Sequence, residues 1–267
     1  KISHPFILRE VESLRAHGLK VVTCSIRKPP AGEFKGEEEL NARAQTFYVI
    51  AAASNPVRVL AAHAGFLLRA PGRWFSSLAL ALRSRPPGLK ALLWQVFYFV
   101  EAGVLAQHLR AQGVGHLHNH FGNSSCTVAM LASTLSGIPF SFTEHGPAIF
   151  FEAERWALDK KIARARFVVA ISHFCRSQLM LFSDPGDWQK ITIVHCGVQA
   201  EAYGRKVRGA FGKRVIFVGR LDPVKGASLL IEAMARVVPD HPDARLTLVG
   251  DGPVSYTHLR AHETVLD

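Results

Sequence analysis

Cysteine is scarce in this chain of 267 residues: Cys24, Cys126, Cys175 and Cys196 stand far apart and no CxxC occurs. That spacing argues against a disulfide framework and fits a reducing cytosol. Long apolar runs are also lacking. A membrane-spanning helix needs roughly 18 consecutive apolar residues, and the longest candidate, Ala91 to Leu105, is interrupted by Gln95 and Glu101. There is no P-loop, no persuasive Ser-His-Asp spacing, no internal repeat and no low-complexity tract. A helix-turn-helix, an RNA-binding aromatic signature and a zinc finger are likewise missing, which weakens any nucleic-acid reading. Acidic residues are in deficit: 21 Asp and Glu face 32 Lys and Arg, for a formal net charge of +11. Such an excess attracts polyanions, whether nucleic acid, anionic lipid or phosphorylated small molecules.

What the chain does have is a regular alternation. Phe6 to His17 carries apolar residues at helical spacing and Gly18 stops it, so Leu19 to Ser25 is expected to be a strand. No strand stands before that helix, and the chain is expected to begin inside a βα unit. Phe47 to Ala53 is read as a second short strand. Pro56 to about Gln112 is expected to be mostly helical, broken at Pro71-Gly72 and at Pro86-Pro87-Gly88. That stretch mixes Arg58, Arg69, Arg73, Arg83, Arg85 and Lys90 with Phe66, Leu67, Leu68, Trp74, Phe75 and Leu78. It suits either an anionic membrane surface or a set of solvated core-packing helices.

From Gly115 onward strands are expected at His116–Phe121, Pro139–Thr143, Phe167–Ile171, Ile191–Val194, Arg214–Val218 and Arg245–Val249. Helices are expected at Ser124–Ser136, Arg155–Ala165, His173–Leu181 and Gly226–Val238. Repeated strand–helix units with short loops imply an α/β fold with a doubly wound parallel sheet, its ligands at the strand carboxyl ends. Gln199 to Lys213 reads as a linker. The tail Val254 to Asp267 (VSYTHLRAHETVLD) fits the pattern poorly and is expected to be non-native.

The most specific segment is Val215 to Gly226 (VIFVGRLDPVKG), followed by the helix ASLLIEAMARV. An apolar strand ends in Gly219, Arg220 sits in the loop, and Lys225-Gly226 opens the next helix. A helix N-terminus presents free N–H groups and a positive dipole end, which suits phosphate. Arg220 can grip phosphate oxygens with its planar fork and Lys225 can add a point charge. A capped βα turn with solvated charges is the alternative. Three histidines, His116, His118 and His120, alternate on one strand face and could ligate zinc. No Cys or carboxylate is adjacent in sequence, so the chain is expected to hold no metal. Cys126 and Cys175 are expected to be packed helix residues.

VGRLDPVKG, then LLIEAM and LTLVGDGP, resemble the donor-binding signature of glycosyltransferase family 4, a retaining family of GT-B fold. His116 to Gly122 (HLHNHFG), Phe140 to Gly146 (FSFTEHG), Val169 to Phe174 (VAISHF) and Val194 to Val198 (VHCGV) follow in the family's order. The likeness runs from about residue 3 to about 253 and is similar to transferases of exopolysaccharide and colanic-acid type clusters. It implies two Rossmann-like doubly wound domains: residues 1–206 on the acceptor side with the first strand missing, and 207–253 as the start of an incomplete donor domain, before the tail 254–267. An incomplete second sheet is expected to leave an open apolar edge.

By the same resemblance Gly219, Arg220 and Lys225 bind the donor diphosphate. His145 is the catalytic-loop histidine at the sugar in the interdomain cleft, and His120, Gly122 and Glu144 form the acceptor or cleft loop. Glu144 departs from the small residue common there. The family's Glu-x7-Glu segment does not appear, so the chain alone is expected to be inactive. The implied activity is retaining transfer of a hexose from a UDP- or GDP-sugar to a polysaccharide or lipid-linked glycan. It needs no cofactor or metal and no nucleic-acid partner. It would take place in the cytoplasm, with peripheral contact at the inner face of the plasma membrane. A nucleotide-sugar 2-epimerase of the same architecture is the nearest rival, and a basic nucleic-acid-binding protein the rival outside enzymes.

Overall fold

Gly and capping side chains set most of the element boundaries. The computed structural model describes residues 5–30, 36–197 and 212–252. The chain divides into two compact units, Lys1–Val198 and Gln199–Asp267. The expected boundary at 206/207 and the tail 254–267 lie outside the described residues.

In the first unit, helix α1 (Pro5–Ala16) runs to a left-handed Gly18 at φ +84°, a conformation that glycine adopts without steric cost. The strand expected from Leu19 shortens to β1 (Cys24–Ser25). Helix α2 (Glu37–Gln45) leads to β2 (Phe47–Tyr48), which pairs parallel with β1. The expected strand Phe47–Ala53 is corrected here: after Tyr48 the chain turns into helix α3 (Val49–Ala53). A short apolar run has no period that separates strand from helix, and packing against the long helix described next decides it.

Three helices follow, with breaks where proline and glycine forecast them: α4 (Pro56–Arg69), α5 (Pro71–Arg83) and α6 (Leu89–Ala111). Asn55 caps α4, its side chain accepting from the N–H of Val57 and Arg58 at 3.0 and 3.2 Å, with Pro56 at the first helical position. By length and composition α6 could cross a membrane. Here it packs against α3, α4 and α5 and buries Phe99, Ala102, Leu105 and Leu109, so it serves as a core helix.

The main sheet then builds by parallel βα steps. Its elements are β3 (Leu117–His120), α7 (Ser124–Ser136), β4 (Phe140–Glu144), α8 (Leu158–Arg164), β5 (Val168–Ala170), α9 (His173–Leu181) and β6 (Ile191–Ile193). The order is β3-β4-β5-β6, all parallel, with Leu117 opposite Phe140 and His120 opposite Thr143. Successive parallel neighbours require helical crossovers. Helix α7 ends at Gly137, φ +77°, and α9 begins at Ser172, whose Oγ accepts from the Cys175 N–H at 3.1 Å. All five residues of β4 are buried. Cys126 and Cys175 are packed in the same core, and the four cysteines are free thiols.

The second unit holds β7 (Arg214–Val218), α10 (Ala227–Val237) and β8 (Arg245–Val249). The two strands pair parallel from Arg214 opposite Arg245 to Val218 opposite Val249. Beyond the strands the backbones stay in contact: Gly219 donates to the Val249 carbonyl at 2.9 Å and Leu221 to that of Asp251 at 3.0 Å. A side chain at Gly250 (φ +153°) would collide with the Gly219 carbonyl, so this close approach demands glycine.

Candidate functional site: two loop clusters

The first cluster sits at the carboxyl ends of β3 and β4, the place where parallel α/β sheets carry ligands. Directly after strand β3, Phe121 adopts φ +70°. For a residue with a Cβ this costs roughly 1–2 kcal/mol and marks a loop held by its surroundings. The hold is visible: Phe121 donates to the Thr143 carbonyl at 2.8 Å, and Asn119 Nδ2 donates to the carbonyls of Phe121 and His120 at 2.8 and 3.1 Å.

Gly122 is gripped from both sides. Its N–H donates to Glu144 Oε2 at 2.6 Å, and its carbonyl accepts from Lys161 Nζ at 2.7 Å. Lys161 also donates to the Asn123 carbonyl at 3.0 Å, while Glu144 Oε1 accepts from the N–H of His145 and Gly146 at 3.1 and 3.4 Å. A Cβ on Gly122 would lie 2.7 Å from Glu144 Oε2, so the clamp requires glycine there. Burial pushes Glu144 up, offset by those backbone donors and by Lys161. Burial brings Lys161 down to about 8, opposed by Cys126 and Glu144. Glu144, expected on the acceptor loop, is therefore corrected to a buried residue, 2% exposed, that shapes the loop rather than lining its surface.

Lys161 went unnoticed in the sequence. Its signal was there: Leu158, Lys161, Ile162 and Ala165 recur at helical spacing, which places the lysine on the inward stripe of α8.

Above the clamp the structure brings His120 and His145 together. His120 Nδ1 and His145 Nε2 lie 2.9 Å apart, so one ring donates and the other accepts. Cys196 Sγ stands 3.8 Å from His145 Nδ1. Aromatic rings close around: Phe6 and Phe121 centroids lie 4.5 and 4.9 Å from that of His145. A histidine so placed can pass a proton or polarise an oxygen while its orientation is fixed.

His116, His118 and His120 do share one side of β3. His118 is engaged at both nitrogens, by Ser141 Oγ at 2.7 Å and Thr143 Oγ1 at 2.9 Å, and Ser141 Oγ also meets His116 at 2.7 Å. Burial brings His118 down to about 4, helped by the neighbouring His120 and His116. The expectation that no carboxylate stands nearby is overturned: Glu10 of α1 places an oxygen among the ligand atoms of His118 and His120, all within 4.8 Å of one another. A metal there would have to displace a hydroxyl from His118.

The second cluster belongs to the other unit. Gly219 follows β7, and Arg220 Nη2 pairs with Asp222 Oδ2 at 3.0 Å, the arginine side chain remaining 55% exposed. Asp222 Oδ1 accepts from the Val224 N–H at 3.2 Å and starts a 3-10 turn, Pro223–Lys225. Gly226 then takes φ +71° and opens α10 with no side-chain cap, and Lys225 is exposed beside it. Uncapped N–H groups with two flanking cations can receive an anion. Gly219, Arg220 and Lys225 are thus together, and His120, Gly122, Glu144 and His145 are together, each set within its own unit.

Parallel sheets with polar loops at their strand ends, followed by a second parallel βαβ piece with a basic loop ahead of its helix, place the molecule in the Rossmann-like GT-B class. The chain belongs to Glycosyltransferase Family 4, whose sequence model matches residues 7–202; that of glycosyl transferases group 1 matches residues 207–264. It is similar to the putative glycosyltransferase YtcC of Bacillus subtilis (strain 168), 27% identical over 163 residues, 55% of this chain and 39% of that protein. It is also similar to the phosphatidylinositol N-acetylglucosaminyltransferase gpi3 subunit of Schizosaccharomyces pombe (strain 972 / ATCC 24843), 26% identical over 146 residues, 52% of this chain and 32% of that protein. A third relative, spore coat protein SA of B. subtilis (strain 168), is 29% identical over 98 residues, 31% of this chain and 26% of that protein. The chain spans well under half the length of the curated relatives it matches.

Proposed function

We propose that the whole protein is a retaining glycosyltransferase of exopolysaccharide biosynthesis. In this reading it moves a hexose from a UDP- or GDP-sugar to a hydroxyl of a polysaccharide or lipid-linked glycan. The observation that carries the reading is the uncapped amino end of α10 flanked by exposed Arg220 and Lys225. The Arg220–Asp222 pair is solvent-exposed. Such pairs contribute about 0–1 kcal/mol, so a diphosphate can take over the guanidinium at little cost.

In the proposed step the bond from the sugar's C1 to the diphosphate oxygen breaks, and a bond from C1 to the acceptor oxygen forms on the same face. The acceptor's proton passes to the departing diphosphate. Arg220, Lys225 and the α10 amides stabilise the charge that builds on it, so no divalent ion is required. His145 takes the sugar-side role by its match to the family's Thr-x-His-Gly segment. The buried Glu144–Lys161 clamp keeps its loop in place.

In the whole protein, Arg220→Ala and Lys225→Ala are each expected to raise the Kd for UDP or GDP at least about tenfold, the scale of one charged hydrogen bond. Unchanged nucleotide binding in both variants would remove the donor assignment. Product analysis separates the epimerase rival, which releases an altered sugar nucleotide without any acceptor.

A membrane-linked acceptor is supported by α4, which carries two apolar faces. Ala62 and Phe66 point into the core, while Val57, Leu60 and Leu68 share the opposite face and are exposed, Leu68 by 83%. Exposed Arg58, Arg69, Arg83 and Arg85 border this region in sequence. An apolar face with basic neighbours suits docking on anionic lipid, and in this reading the enzyme works at the cytoplasmic leaflet. The name of the S. pombe relative also refers to a lipid, phosphatidylinositol. The double variant Leu60→Glu/Leu68→Glu should lose co-flotation with phosphatidylserine-containing vesicles. Undiminished flotation would refute this part.

A further inference from the structure

A cavity of about 510 Å3 opens in the first unit, away from the His120–His145 pair. Its walls come from the chain after β1, from α3, from the amino-terminal half of α6, from the first residue of α7 and from Arg155 and Trp156. Its size falls within the roughly 300–1,000 Å3 of small-molecule sites, and its position beyond β1 and at the start of α7 is where α/β sheets hold ligands.

The lining has three components. Trp94, Tyr98 and Trp156 supply aromatic surface, Trp94 and Tyr98 stacking at 6.1 Å between centroids. Arg27, Lys90 and Arg155 supply positive charge; Arg155 also pairs with Glu152 at 2.6 Å. The third component is unsatisfied acceptors. Gln95 is only 6% exposed, and its Oε1 is buried without a hydrogen-bond partner. Glu101 Oε2 is in the same condition. An unpaired buried acceptor is costly, and a small turn of either side chain toward the cavity its residue lines would let a ligand hydroxyl relieve that cost. Burial holds Glu101 up at about 7 against the pull of Arg27, so its charge does not cancel the cations fully near neutral pH.

Rings that stack on a C–H face, unsatisfied acceptors and a lining with three cations, Lys90 among them exposed, describe one kind of ligand. We propose that this cavity is an acceptor subsite for a saccharide bearing an anionic group, either a sugar phosphate or a uronic acid. The assignment rests on the glycosyltransferase reading. It adds to that reading the charge of the acceptor and the residues that select it. Lys90 and Trp94, both exposed at the rim, meet the anion and the ring face respectively.

Isothermal titration of the chain with glucose 1-phosphate, glucuronic acid, glucose and inorganic phosphate tests it. At least one charged sugar should bind tenfold or more tightly than both glucose and phosphate, and which one does so identifies the source of the charge. Lys90→Ala and Trp94→Ala should each weaken that ligand about tenfold, and neither removes a core side chain. Glucose binding as tightly as both charged sugars, phosphate alone binding as tightly as either, or both variants leaving affinity unchanged would each overturn the proposal. UDP and GDP are titrated separately. Loss of the saccharide result with nucleotide binding still dependent on Arg220 refutes the subsite alone. Loss of the Arg220 dependence refutes the donor reading.

Discussion

The two units differ in how much apolar core their described residues form. In the first, α5, α6, α7 and the four-stranded sheet share one continuous core, and Val128, Leu131, Leu135, Phe142 and Leu158 are fully buried. In the second, the core is Leu221 and Ala227 with Phe217 packed alongside. Val215, Ile216 and Val218 of β7 and Leu229 of α10 are exposed among the described residues, Leu229 by 70%. Yet both units have the same local grammar: apolar strands, glycine stops and amphipathic helices. A sequence patterned for burial is buried only when a second layer covers it. The loop geometry of the first unit rests on a hydrogen-bonded clamp buried within that core. That of the second rests on backbone hydrogen bonds and on glycines at close approaches.

Removing the charge beneath the first loop should have the largest effect. Lys161→Ala leaves the Glu144 carboxylate buried without its cation and frees the Gly122 and Asn123 carbonyls. Loss of one partner from such a site costs roughly 3–5 kcal/mol, to be read as a lower denaturant midpoint for the first unit. A matched pair of leucine truncations tests the comparison directly. Leu131→Ala should cost about 2–5 kcal/mol, whereas Leu229→Ala should stay within about 0.5 kcal/mol. Equal costs would show that the α10 face is covered in solution.

A pH slope probes the first unit by itself. The folded value of His118, about 4, lies below the ordinary histidine value. The unfolded chain therefore takes up this proton first. Stability from this group is complete above about pH 6.5 and is lost as pH falls toward 4, at no more than about 1.4 kcal/mol per pH unit. His118→Asn should flatten that part of a Tm-against-pH curve. An unaltered slope would assign it to other groups.

Much of the fold was legible from local signals. Ser124–Ser136, His173–Leu181, Arg214–Val218 and Arg245–Val249 occur with the expected bounds. Gly137 and Ser172 end and cap their helices as their chemistry requires. Val49–Ala53 fits either state because five apolar residues carry no period, and α8 starts at Leu158 because residues 153–157 form turns and Ala157 takes φ +48° directly before it. In the candidate site, the proximity of His120 and His145 follows from the parallel register of β3 and β4. The burial of Lys161 follows from the apolar stripe of α8, but that of Glu144 and the meeting of the two at Gly122 do not follow from any local pattern.

By itself, then, the order of residues determined most element bounds from Ser124 onward, the alternation of strands and helices, and that a basic turn would precede α10. These depend on contacts a few residues apart, where capping and side-chain period act. Only the folded chain decided that Glu144 and Lys161 would close on Gly122 from 22 and 39 residues away, and that α5, α6, α7 and the sheet would share one core while α4 keeps Val57, Leu60 and Leu68 exposed. Those outcomes depend on which surfaces exclude water together, a property that arises only when distant segments pack against each other.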